Sequence, residues 1–214
     1  MGLETYIDHT LLNPTATDHA IINLCAEAKK YQFYGVCVNG CHIPLAKREL
    51  KGSPVHLVAV IGFPLGAMST ASKVGEAEDC IANGADEIDM VLNVGWLKSK
   101  EFDLVLEEIK KIKQVLGNTI LKVIIETCYL TDEEKIKACK LIELAKADYV
   151  KTSTGFGPEG ATIKDISLLK KTVGNNIKIK ASGGIKNREM ALKYIELGAD
   201  RIGTSSGINI VTGT

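Results

Sequence analysis

Eight short runs rich in β-branched and aliphatic residues, each followed by a longer amphipathic stretch, set the tightest limit on what this chain can fold into. The runs cover residues 6–9, 35–39, 55–62, 87–93, 121–127, 148–153, 177–182 and 201–205. Three of the intervening segments, 103–116, 133–145 and 187–197, carry apolar residues at helical spacing, the first with Lys in its later turns. Thr131 with Glu134 three residues on, ahead of Ile136, has the pattern of a capping box. A faint repeat (NGADEIDMV, LAKADYVKT, LGADRIGTS) runs each time from a helix end through Ala-Asp into a strand, and Gly84 and Gly198 suit the left-handed residue that ends a helix. Strands alternating with helices make a parallel sheet, and eight of them close it. The pattern predicts an α/β fold: a single (β/α)8 TIM barrel over residues 1–214 with a short N-terminal extension. At 214 residues it is compact against the typical size of about 250. An open flavodoxin-like or Rossmann sheet is the alternative, but it uses fewer strands.

The rest of the composition narrows function by exclusion. Lys plus Arg equals Asp plus Glu, 26 each, which argues against non-specific binding to nucleic acid. No apolar run approaches the roughly 20 residues of a membrane span, and the first residues lack a signal peptide's basic start and apolar stretch. Tyr6 stands where a myristoylation signal needs Ser or Thr. The expectation is a cytoplasmic protein, with small-molecule partners and neither nucleic acid nor membrane. Its six cysteines are scattered and read as free thiols; Cys37-x-x-x-Cys41-His42 falls one residue off a haem-attachment pattern. His9, His19, His42 and His56 show neither metal-ligand spacing nor a Ser-His-Asp arrangement, so no metal is expected. Gly155, Gly157 and Gly160 fit the dinucleotide fingerprint literally, but Pro158 interrupts it and Lys180 occupies the next strand, where an acidic residue belongs.

Strands buried on both faces should be nearly all apolar, and several of these are not. Lys151 interrupts DYVKTST, Lys180 IKIKAS, Asp89 EIDMVLN and Asp8 YIDHT, while Lys122 and Glu126 sit in LKVIIET. Side chains alternate across a strand, so if Val150 and Thr152 face the helices, Lys151 faces the barrel interior. The same rule turns Lys178, Lys180 and Asp89 inward. An ion-pair network that only fixes the fold is the bland reading of such charges, since each needs a partner. Two lysines near the carboxyl ends of consecutive strands, where barrel enzymes build their sites, point instead to chemistry; Lys178 and Lys122 lie lower and read as supporting charges. Neighbouring strands are about 4.8 Å apart. Two ammonium groups at that range repel by roughly 3 kcal/mol, enough to lower the proton affinity of one about a hundredfold. A neutral amine can form a Schiff base, and Asp89 can move protons beside it.

Three successive strand ends carry small or hydroxyl residues: KTSTGFGPEG, KASGGI and RIGTSSG. Glycines let backbone N–H groups approach an anion, and a phosphate cradle after the seventh and eighth strands recurs in barrels. Gly183, Gly184, Ser205 and Ser206 are the expected donors.

These motifs resemble the deoxyribose-phosphate aldolase family nearly end to end, through IDHTLLNPTAT, VCVN, VIGFPLGAMSTASK, GADEIDMVLN, LKVIIET, VKTSTGFGPEGAT, KASGGI and IGTSSG. The resemblance implies a class I aldolase without cofactor that reversibly cleaves 2-deoxy-D-ribose 5-phosphate to acetaldehyde and D-glyceraldehyde 3-phosphate. It implies Lys151 as Schiff-base former, Lys180 as its tuning partner and Asp89 as proton-transfer group. Gly155, Gly183, Gly184, Ser205 and Ser206 would hold the phosphate, with Lys122 and Asp8 as supporting polar residues and Cys37 near the site. The chain departs from the family at Asn13 and Phe156, where Lys is common, at Glu159, often Gly, and in ending at IVTGT. An isomerase-type phosphosugar barrel or a non-catalytic phosphosugar-binding barrel would share the cradle without needing both lysines. A homo-oligomer, dimer or tetramer, is expected.

Overall fold

The computed structural model describes residues 2–213, so Met1 and Thr214 of the expected barrel domain lie outside the described residues. Eight strands, β1 (Ile7–Leu11), β2 (Gly35–Asn39), β3 (His56–Ile61), β4 (Glu87–Val91), β5 (Ile120–Ile124), β6 (Tyr149–Lys151), β7 (Lys178–Ser182) and β8 (Arg201–Thr204), pair in parallel in chain order. β8 pairs back onto β1, so the sheet closes into a TIM barrel. The short extension is one 3-10 turn, Leu3–Tyr6, ahead of β1. Around the barrel run α1 (Asp18–Lys30), α2 (Ile43–Glu49), α3 (Thr70–Ala82), α4 (Val94–Lys98), α5 (Phe102–Leu116), α6 (Asp132–Leu144), α7 (Ile163–Val173), α8 (Arg188–Glu196) and α9 (Gly207–Thr212).

Alternation decides which face each strand residue takes. Ile7, Val36, Leu57, Ile88, Leu121, Val150, Ile179 and Ile202 are fully buried in the layer between barrel and helices. Each such side chain stabilises the fold by about 1.5–3 kcal/mol. On α5, Val105, Ile109, Ile112 and Leu116 form the matching apolar stripe. Helix starts are closed by side chains: Thr131 accepts from Glu134 N at 3.3 Å while the Glu134 carboxylate takes Thr131 N–H at 2.8 Å, which is the capping box the sequence predicts. Gly84 and Gly198 take positive φ at the ends of α3 and α8, also as predicted.

The other face of each strand fills the barrel, and it is divided. Under β2 and β3 the interior is apolar, built from Cys37, Val58 and Val60 with Leu12. Under β4 to β8 and β1 it is charged. Register brings the charges level, with Asp89 beside Lys122 and Lys151 beside Lys180.

Most strand ends lie one or two residues from the ends of the runs, and two larger differences have a local cause. The run 121–127 stops as a strand at Ile124, because pairing with β6 slips by one residue. Ile125 N–H bonds Lys151 O and Thr127 N–H bonds Thr152 O, both at 3.0 Å, where an unbroken parallel ladder would take Thr127 to residue 153. Glu126 is the extra residue, a bulge with φ 50°. The five-residue helix α4 went unpredicted; Asn93 caps it by accepting Trp96 N–H at 3.1 Å.

Candidate active site

Lys151 is the last residue of β6, Lys180 the middle of β7 and Asp89 the middle of β4, and all three are buried. One oxygen joins them: Asp89 Oδ2 accepts from Lys151 Nζ at 2.8 Å and from Lys180 Nζ at 2.8 Å. The other, Oδ1, accepts from Lys122 Nζ at 2.8 Å. Lys180 also donates to Asp8, reaching across the barrel closure to the first strand. Lys122 makes a second ion pair with Glu87 at 2.5 Å, and Arg201 pairs with Asp8 at 3.0 Å and Glu87 at 3.6 Å. Glu87 Oε2 meets these cations outside hydrogen-bond geometry, so its contact with them is electrostatic. Among the described residues, four cations (Lys122, Lys151, Lys180, Arg201) thus share three carboxylates (Asp8, Glu87, Asp89), leaving one positive charge in excess. Lys151 is the least compensated of the four, with one carboxylate that it shares.

The electrostatics follow from burial set against partners. Burial pushes the Asp8 carboxyl up, but Lys180, Arg201 and Lys122 outweigh it and hold it at about 2. Burial likewise opposes the charge on Asp89, and three lysines overcome it, holding the group well below the ordinary carboxylate range. Lys180 loses hydration, yet Asp8 and Asp89 more than restore its proton, so it is a firmly held cation, as is Lys122. Simple repulsion between two lysines therefore undercounts the charges present: carboxylates interleave with the ammonium groups. Burial pushes the Cys37 thiol up, which makes it a buried, protonated neighbour of the network.

Lys178 corrects the strand-face rule. It is exposed at the start of β7, at the opposite end of the barrel, with its Nζ 5.6 Å from the Tyr149 ring centroid. Its alternation is that of Lys180, but a residue at the barrel's edge has nothing above it to bury it. Glu87 and Arg201, fully part of the network, went unnamed in the sequence reading. The same period of two that turned Asp89 inward applies in EIDMV and RIGT and would have found both.

Lys151 opens into a cavity of about 420 Å³ at the carboxyl end of the barrel. Gly155, Gly183, Gly184, Ser205 and Ser206 line it, with Asn13 and Thr154 and with one cation that sequence reasoning missed, the exposed Lys186. Gly155, Gly183 and Gly184 have φ of 86°, 86° and 74°, conformations open to glycine. Not every backbone donor there points into the cavity: Ser206 N–H is taken by Thr204 Oγ1 at 2.9 Å and Phe156 N–H by Thr154 Oγ1 at 3.0 Å. A Cβ on Gly160 would lie 2.1 Å from Gly183 O, so the loop after β6 rests directly on the end of β7. Glu126, at the bulge after β5, is 96% buried by side-chain packing around its strained backbone, a conformation that costs a non-glycine residue about 1–2 kcal/mol. It was noted in the sequence as a strand interruption and given no role.

Comparison with known proteins bears directly on this arrangement. The model of the DeoC/LacD family aldolases matches residues 3–213. The chain belongs to that aldolase family. A deoxyribose-phosphate aldolase from Brevibacillus brevis is 55% identical over 213 residues, spanning 100% of this chain and 96% of the relative. One from Finegoldia magna is 54% identical, spanning 100% of both. Among solved structures, the aldolase QR15 superimposes with a TM-score of 0.95 at 43% identity, covering 99% of this chain and 95% of its own. This chain is accordingly a class I aldolase, a carbon–carbon lyase, and the isomerase-type and non-catalytic barrels are set aside. No helix of the aldolase, among the described residues, is long and apolar enough to cross a membrane.

Proposed function

We propose that this aldolase cleaves 2-deoxy-D-ribose 5-phosphate reversibly to acetaldehyde and D-glyceraldehyde 3-phosphate, with Lys151 as its Schiff-base nucleophile. The observation that carries the assignment is the single Asp89 oxygen shared by Lys151, which lines the cavity, and Lys180. An amine must be neutral to attack a carbonyl, and of the four cations Lys151 has the fewest carboxylate partners and is the one that lines the cavity. Lys180, a cation at rest, stands next to it on the same Asp89 oxygen.

The residues then divide the proton traffic. The Lys151 amine adds to C1 of the open-chain sugar, and the carbinolamine loses water as the Lys180 ammonium, linked through Asp89, supplies a proton to the departing oxygen. The C3 hydroxyl gives up its proton, the C2–C3 bond breaks, and its electron pair moves into the imine to leave an enamine. Glyceraldehyde 3-phosphate departs. Protonation at C2 and hydrolysis release acetaldehyde and restore Lys151. Asp89, held ionised by three lysines, acts as acceptor and relay. Lys122 and Asp8 hold Asp89 and Lys180 in place, and Cys37 packs beside them. The phosphate sits at Gly155, Gly183, Gly184, Ser205 and Ser206, with Lys186 adding charge at the rim. In this reading the 214-residue chain works as one barrel domain in the cytoplasm and as a dimer or tetramer; the related aldolase from Aeropyrum pernix is tetrameric.

The test is intact mass and peptide mapping after acetaldehyde and borohydride. A single ethyl adduct on Lys151, suppressed by 2-deoxyribose 5-phosphate, is expected. No adduct, or one spread over surface lysines, overturns the assignment.

A further inference from the structure

Glu126 has the marks of a residue held for a purpose the chemistry at Lys151 does not use. It is the extra residue of a bulge in the β5–β6 pairing, it has φ 50°, and its carboxylate is buried. Bulges re-aim side chains, and strained backbone persists where its surroundings over-determine it. Here the carboxylate is aimed along the loop that follows Lys151. Its two oxygens accept Thr154 N–H at 3.2 and 3.3 Å, and Oε2 also accepts the Thr154 hydroxyl. That hydroxyl in turn accepts Phe156 N–H. Gly157 makes room for the carboxylate: a Cβ there would lie 3.3 Å from Glu126 Cδ and 3.0 Å from Cys128 Sγ. One side chain just after β5 thereby sets the path of residues 154–157.

The consequence lies in which donors are left facing the cavity. Thr154, Gly155 and Phe156 all line the cavity, but Thr154 N–H and Phe156 N–H are taken by Glu126 and Thr154, so among these described residues Gly155, at φ 86°, is the one whose N–H is left for a phosphate. We infer that Glu126 is a positioning residue for phosphate recognition, shaping the 154–157 loop so that Gly155 completes the cradle. The inference rests on the phosphate reading given above. Burial holds the Glu126 carboxyl above the ordinary range in spite of Thr154 and Lys151, and its hydrogen bonds all go to Thr154.

The test compares kcat/KM on 2-deoxyribose 5-phosphate with kcat/KM on 2-deoxyribose, in the parent and in Glu126→Gly. Glycine takes the left-handed conformation freely and removes only the anchor. The expected result is a fall of about tenfold or more in the ratio, through KM for the phosphorylated sugar, in a variant that stays folded because relief of the left-handed backbone offsets part of the lost bonds. Glu126→Asn, also at ease in that conformation but one carbon short of Thr154, gives the same loss. A ratio within twofold of the parent's in either folded variant overturns the inference. Failure of both variants to fold also overturns it, by assigning Glu126 to folding. A parent ratio near one would instead overturn the phosphate reading itself, whatever the variants do.

Discussion

The two ends of the barrel interior are built from the same residue types and do opposite work. At the amino end, Arg201 lies with its guanidinium 3.2 Å from the Tyr34 ring centroid, pairs with Asp8 and Glu87, and donates to Tyr149 Oη at 3.2 Å, while Tyr34 Oη donates to Glu87 at 2.7 Å. Every charge there has several partners, and the end is plugged. At the carboxyl end, Lys151 has one carboxylate, shared with a neighbour, and faces a cavity. A similar contrast holds outside the barrel: Lys73, fully buried, has Glu108 at 2.7 Å and Val91 O at 2.9 Å. On the proposed role of Lys151, a shortage of partners and access to substrate, and not burial alone, separate a reactive lysine from a structural one.

The most severe way to break the comparison is Lys151→Leu. Three cations would then face three carboxylates, so unfolding free energy should stay within about 1 kcal/mol of the parent while turnover falls about 10⁵-fold or more. A coupled aldehyde-release assay and thermal unfolding measure both; a large loss of stability would make mouth and floor equivalent. Arg201→Met strikes the floor and leaves Asp8 and Glu87 short of a cation, at a cost of about 3–5 kcal/mol in urea unfolding. Its folded fraction should still bind substrate, and a specific loss of binding would mean that the floor serves the mouth.

Acid separates the two ends more gently. Asp8 is held at about 2 against an ordinary 3.8, so its ion pairs contribute stability above about pH 4 that is lost as pH falls toward 2. The contribution is about 2 kcal/mol, visible as a falling urea midpoint over that window. A flat midpoint would remove Asp8 from the stabilising set. The smallest effect belongs to the rim: Lys186→Gln should raise KM for the phosphorylated sugar about threefold, in keeping with an exposed charge, and change kcat less. Steady-state kinetics at two salt concentrations would show it shrink as salt rises.

The barrel was legible because its information is local. Eight runs, their period of two and the caps of the helices between them all lie within short windows of chain. Lys151, Lys180 and Asp89 stood out as charges among aliphatic residues for the same reason. What the sequence could not convey is closure: Asp8 reaches Lys180 from 172 residues away, because β8 folds back onto β1. That contact turns a pair of repelling lysines into an interleaved network. The bulge at Glu126 was equally hidden, since a glutamate after IIE-type aliphatics carries no turn signal, and Lys178 misled because alternation fixes a side and not a depth.

The crossing of Gly160 over Gly183 bears on how this enzyme could be adapted. With 2.1 Å between an added Cβ and a carbonyl oxygen, no side chain is admissible there, so the loops after β6 and β7 are in effect one wall. Selection for new aldehydes would have to leave that wall alone and act on other loops, such as the one after β3, where Leu65 stands 76% exposed. Variation in substrate range and constancy of the proposed phosphate grip would then be carried by different loops.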